Sequence, residues 1–212
     1  MGDGRNRQQL GSIGYQFTDD HRDIAAYPLT GYFVQGNIVK YGLGMGDDLN
    51  KFEVSGSFAK YMELKKGLFL SNYTYLEYSA PNQLAYNFYS ALGYQKNFVR
   101  GYEIYVIEGS SIFLNKTTFK VRLFSKDVDW KSMPIEQFRH IPFAIYLKMY
   151  GDIGYVANYP NYEVNSMLSD KLLAGAGFGI DVIGSYDVVL RFEYSFNNIG
   201  ENGFFFHLHK EF

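Results

Sequence analysis

From Val188 to Phe196 the chain alternates without a slip. Val188, Leu190, Phe192, Tyr194 and Phe196 fall on one side, and Val189, Arg191, Glu193 and Ser195 on the other. A side-chain period of two belongs to a strand, because successive residues of an extended backbone point to opposite faces. The pattern recurs. Ala174, Ala176, Phe178, Ile180 and Val182 oppose Gly175, Gly177, Gly179 and Asp181. Phe143, Ile145, Leu147 and Met149 oppose Ala144, Tyr146, Lys148, Tyr150 and Asp152. Thr117, Phe119, Val121 and Leu123 oppose Lys116, Thr118, Lys120 and Arg122. Ile13, Tyr15 and Phe17 alternate with Ser12, Gly14, Gln16 and Thr18, and the end of the chain sets Phe204, Phe206, Leu208 and Phe212 against Phe205, His207, His209 and Glu211.

Further strands are expected near 31–41, 51–62 and 67–79. Turns fall at 46–50, at Lys65-Lys66-Gly67 and at Gly184-Ser185-Tyr186-Asp187. The expectation is an all-β, antiparallel chain of about nine strands. Residues 1–10 form a lead-in without an apolar stretch, so no secretory signal peptide is expected there.

Alternation does not say which face meets water. A soluble sandwich or lipocalin-like barrel would turn Lys116, Lys120, Arg122, Lys148, Asp152, Arg191 and Glu193 outward. A transmembrane β-barrel would turn the aromatics outward instead. Composition favours the membrane: 19% of the 212 residues are aromatic, most of them Tyr and Phe, and Phe212 ends the chain. No run approaches the roughly 18 apolar residues of a membrane helix. The absence of cysteine excludes disulfides and thiolate metal sites. A net charge of −2 without a basic cluster argues against a nucleic-acid partner.

Residues 80–107 break the rhythm, and a connection this long is uncommon unless it has a task. An aromatic-rich Phe88-Tyr89 segment and a Gly93-Tyr94 step lead into Val99-Arg100-Gly101-Tyr102. Downstream come Gly151-Asp152-Ile153-Gly154-Tyr155-Val156, then Ala174-Gly175-Ala176-Gly177-Phe178-Gly179, then Val189-Leu190-Arg191-Phe192-Glu193-Tyr194. In this order the segments resemble the C-terminal barrel of the BamA/TamA superfamily of outer-membrane assembly factors (the bacterial surface antigen family). Its inward-folded loop carries Val-Arg-Gly-Phe/Tyr, and a later strand carries Phe-Asp-x-Gly-x-Val, with Gly151 here in place of the aromatic residue.

The resemblance implies that 11–212 form a partial outer-membrane barrel with a long loop folding inward at about 80–107. Relatives have about sixteen strands behind periplasmic POTRA modules, so the missing N-terminal half of the barrel, or another chain, is an implied partner. Outer-membrane lipid, nascent outer membrane proteins and assembly-machinery subunits are the others. The implied role is non-covalent folding and insertion of outer membrane proteins in the bacterial outer membrane. A small structural or pore-type barrel, or the anchor of a patatin-like lipase, is the alternative. Phe204, Phe206, Leu208 and Phe212 would form the C-terminal strand signal. In relatives a carboxylate on the strand after the loop also holds the motif arginine, and Thr118 stands nearest that place here. Asp152 shares parity with Lys148 and Tyr150, which makes it the expected partner of Arg100.

Other candidates carry less. His207 and His209 share a strand face but lack a companion carboxylate pair or cysteine, so no metal site is expected. His21 and His140 are read as turn residues. Asp19, Asp20 and Asp23, and Asp47 beside Asp48, match no EF-hand spacing and fit turn chemistry. The Gly-rich runs at 42–46 and 175–179 lack the surrounding βαβ unit of a dinucleotide site, and the second suits a crowded interior. With no nucleophile–base constellation, neither an enzyme nor a cofactor is expected.

Overall fold

The computed structural model describes residues 10–44, 49–81, 90–93, 97–129, 140–158, 167–184 and 188–209. Phe212, Asp47 and Asp48 lie outside them. The elements are β1 (Ser12–Asp20), β2 (Gly31–Tyr41), β3 (Lys51–Lys65), β4 (Leu68–Ala80), β5 (Ser90–Leu92), β6 (Ile107–Gly109), β7 (Ser111–Asp129), β8 (His140–Ala157), β9 (Leu172–Ile183), β10 (Val189–Asn197) and β11 (Asn202–His209). Nine of them build one antiparallel sheet in the order β1-β2-β3-β4-β7-β8-β9-β10-β11, while β5 and β6 pair apart. β1 and β11 each have one neighbour, so the sheet is open along both edges.

The strands are longer than their alternation suggests. β7 runs for 19 residues and β8 for 18. A register shift between Arg122 and Phe124 inserts an extra residue, so parity reverses there and the periodic signal fades. β8 starts at His140, which is therefore a strand residue rather than a turn residue.

Burial inverts the usual order. On β10, Val189, Glu193 and Ser195 are buried at 0–3% exposure, whereas Phe192, Tyr194 and Phe196 are 36–44% exposed. Lys120, Lys148, Asp152 and Asp181 are buried, while Met149, Phe178, Phe204 and Leu208 lie open. The polar face is thus the inner one. Water would disfavour so continuous an aromatic exterior, because soluble proteins expose only limited apolar patches.

Two connections fold across the inner face and supply its apolar filling. The β4–β7 connection brings Leu92, Val99, Tyr102 and Ile107 against Ile112, Leu114, Val156 and Leu173. The β1–β2 connection brings Tyr27 against Phe69, Tyr146 and Val189. Each such side chain contributes roughly 1.5–3 kcal/mol on burial. The second connection had shown only turn chemistry in the sequence, and Asp23 does organise its turn by accepting the Ile24 and Leu29 N–H groups.

Candidate functional site

The row Lys148–Gly179–Glu193 crosses β8, β9 and β10 in register, and Asp152–Gly175–Asn197 crosses the same strands four residues along. Charged or polar side chains on β8 and β10 flank glycines on β9, so the interior has polar groups at its walls and space between them. The loop enters that space. A Cβ on Gly175 would lie 1.7 Å from the Arg100 carbonyl oxygen, so only glycine admits the loop backbone there. Gly101 takes φ +98, the left-handed region, where its Cα side faces the end of β10 at Phe196 and Asn197.

Arg100 is 7% exposed and clasps Asp152. Its Nε donates to Asp152 Oδ2 at 2.7 Å, and Nη2 donates to Oδ1 at 2.5 Å, a bidentate fork. Its backbone N–H donates to the same carboxylate at 3.1 Å. Nη2 also donates to Thr118 Oγ1 at 2.9 Å, so a hydroxyl on β7 joins the carboxylate of β8 in holding the guanidinium. The guanidinium lies 3.8 Å above the Tyr150 ring, whose hydroxyl is 2.7 Å from Ser195 Oγ. Five donors in a planar fork suit this combination of carboxylate, hydroxyl and ring.

Beyond the clasp the charges continue. Arg100 Nη1 is 3.8 Å from Glu193, which Lys148 meets at 2.8 Å, and Lys148 reaches Asp181 at 2.5 Å. The Tyr27 hydroxyl, carried on the β1–β2 connection, donates to Asp181 at 2.8 Å. Removing one member of such a buried set leaves another charge unmatched, which costs about 3–5 kcal/mol. On the loop itself, burial raises the Glu103 carboxyl above its usual pKa, although the Gly101 N–H donates to it at 2.7 Å.

The expected site residues distribute as follows. Val99, Arg100, Gly101 and Tyr102 sit together, with Val99 and Tyr102 in the apolar cluster. Asp152 meets Arg100 directly. Gly151 points to the outer face, where an added Cβ would touch nothing. Phe204, Phe206 and Leu208 lie on the outer face of β11 at 54–66% exposure. His207 lies 3.4 Å from Glu193 and stacks on the rings of Phe98 and Phe205. Among the described residues, no group of three or more His, Cys, Asp or Glu is arranged to hold a metal ion.

Sequence reasoning missed Tyr27, Lys148 and Asp181 as parts of one network. Parity put the last two on the polar faces of their strands, but no local signal brings Tyr27 to them. No helix among the described residues is long and apolar enough to cross a membrane, which leaves crossing by strands untouched. No protein-family model matches the chain, and no curated protein matches it either.

Proposed function

We propose that the chain is the C-terminal part of an outer-membrane β-barrel of the BamA/TamA assembly-factor type. It would take part in folding and inserting other outer membrane proteins, without covalent chemistry. The observation that carries this reading is the inversion of the sheet: aromatics outward, and a buried charged interior closed around an arginine-latched loop. A bilayer favours an apolar exterior, and an interior of matched charges lets the sheet keep polar side chains away from lipid. The open edges of β1 and β11 present unpaired N–H and C=O groups, and an incoming strand can pair with such an edge. In the proposed parent barrel, β1 pairs with the preceding strands, and β11 serves as the template.

Two measurements test the two halves of the proposal. For the membrane, a Phe192→Trp variant in a Trp130→Phe background is reconstituted into vesicles of brominated lipid. Strong quenching is expected, and fluorescence untouched by bromine overturns the assignment. For the role, a photo-crosslinking residue at Phe206 should trap nascent outer membrane proteins in cells of the native host. Adducts to lipid alone would leave a structural barrel and reject the assembly role.

A further inference from the structure

The β4–β7 loop touches more than its arginine clasp. Phe98 stacks on His207 of β11 with ring centroids 5.9 Å apart, and Lys116 lies 4.4 Å over the other end of this stack at Phe98. The Tyr102 hydroxyl donates to Asn198, in the turn that joins β10 to β11. The Tyr105 hydroxyl donates to Glu201, at the far side of the same turn, at 2.7 Å. Asn197 returns a bond, its Nδ2 donating to the Gly101 carbonyl at 2.8 Å. Asn198 is itself a hub: its Oδ1 also accepts the Ala174 N–H at 2.8 Å, and its Nδ2 donates to the Leu172 carbonyl at 3.0 Å.

These contacts share one target. β11 is an eight-residue strand with a single neighbour, and a strand at the end of a sheet is held by one ladder only. The loop grips it at His207, and grips the turn that leads into it at Asn198 and Glu201. Between Phe98 and Tyr102, Arg100 fixes the same loop to β8 and β7, the longest strands of the sheet. We infer that residues 97–106 brace the terminal hairpin β10–β11 against the rigid middle of the sheet, with Phe98, Tyr102 and Tyr105 as positioning residues for the edge strand. The brace rests on the proposed template role for its purpose, but not for its physics. Ordering a template strand beforehand removes an entropy cost from strand capture, so a braced edge captures better than a loose one.

Hydrogen exchange read by mass spectrometry on the full chain in detergent micelles tests this. In a Phe98→Ala, Tyr102→Phe, Tyr105→Phe variant, amides of 189–209 should exchange about tenfold faster, as local opening allows. Amides of 111–157 should keep their protection. Tyr102→Phe and Tyr105→Phe without the Phe98 change should give a smaller rise in the same segment, which keeps the test sharp if the triple variant folds poorly. Unchanged exchange at 189–209, or an equal rise across 111–157, overturns the brace. A second arm adds a photoreactive peptide copying Val189–Asn197, the antiparallel neighbour of β11. Lower capture at the β11 edge in the variant than in the wild type supports the brace as a determinant of capture. No capture by either protein, with the localised exchange change intact, keeps the brace and rejects the template role alone.

Discussion

The inner faces of β10 and β1 carry the same alternation and end in opposite states. On β10, Glu193 and Ser195 are buried beneath the loop and among the charges of β8 and β9. On β1, Gly14, Gln16 and Thr18 remain exposed, and Gln16 meets Thr18 of the same strand at 3.3 Å. The strand pattern is equal, so the pattern does not bury a face. What buries it is a segment from elsewhere in the chain that has a charge to match and room to lie down. The β4–β7 loop has both, through Arg100 and Gly175. Over β1 no described segment does this, and the sheet there is an edge.

That contrast is open to direct attack, beginning where the interior is most tightly matched. Arg100→Ala and Asp152→Asn should each destabilise the folded chain by about 3–5 kcal/mol, since either leaves a buried charge alone. Denaturant unfolding of the vesicle-reconstituted protein measures this. The double variant should lose little more than either single one, and strictly additive losses would mean that the two side chains act independently. Next comes the outer face. Phe192→Arg should cost about 2–4 kcal/mol in bilayers if that position lies near the midplane, and much less in detergent, which relaxes around a charge. Equal refolding yields in vesicles and micelles would contradict a lipid-facing β10.

Smaller effects sharpen the boundary between the two regions. Gly175→Ala places a methyl group where the Arg100 carbonyl stands, and should cost about 1–3 kcal/mol by displacing the loop. Faster proteolysis within 97–106 would accompany it. Tyr27→Phe probes a place where the β1–β2 connection reaches into the charged interior. Asp181 keeps Lys148, so the loss should be about 1 kcal/mol, visible as a lower unfolding midpoint. Gln16→Ala should change stability by less than about 0.5 kcal/mol, because its side chain meets little but solvent on an unmatched face. A larger effect at Gln16 than at Gly175 would invert the comparison.

Most of the sheet is legible in the sequence. Period-two alternation located six strands of the nine-stranded sheet, since a side chain's face follows from backbone geometry alone, and turn signals bounded the three near 31–41, 51–62 and 67–79. It was weakest at β7, where the extra residue between Arg122 and Phe124 reverses parity, and at His140, where a strand starts two residues before a proline. Parity also put Asp152 on the same face as Lys148 and Tyr150, which made it a candidate for Arg100.

Tertiary structure decided what alternation is blind to. The two faces of a strand are symmetric to the sequence, so only the packed sheet makes the charged face of β10 the inner one and leaves Phe192, Tyr194 and Phe196 outside. It also chose the partners. Tyr27 and Asp181 are separated by 154 residues, and no local rule links a turn tyrosine to a strand aspartate at that distance. Arg100 could have met any inner carboxylate. Its fork closes on Asp152, and not on Glu193 at 3.8 Å, because Gly175 admits the loop backbone beside Asp152 while Lys148 already holds Glu193. Residue types and spacing determined which groups could pair, whereas the space between strands determined which of them did.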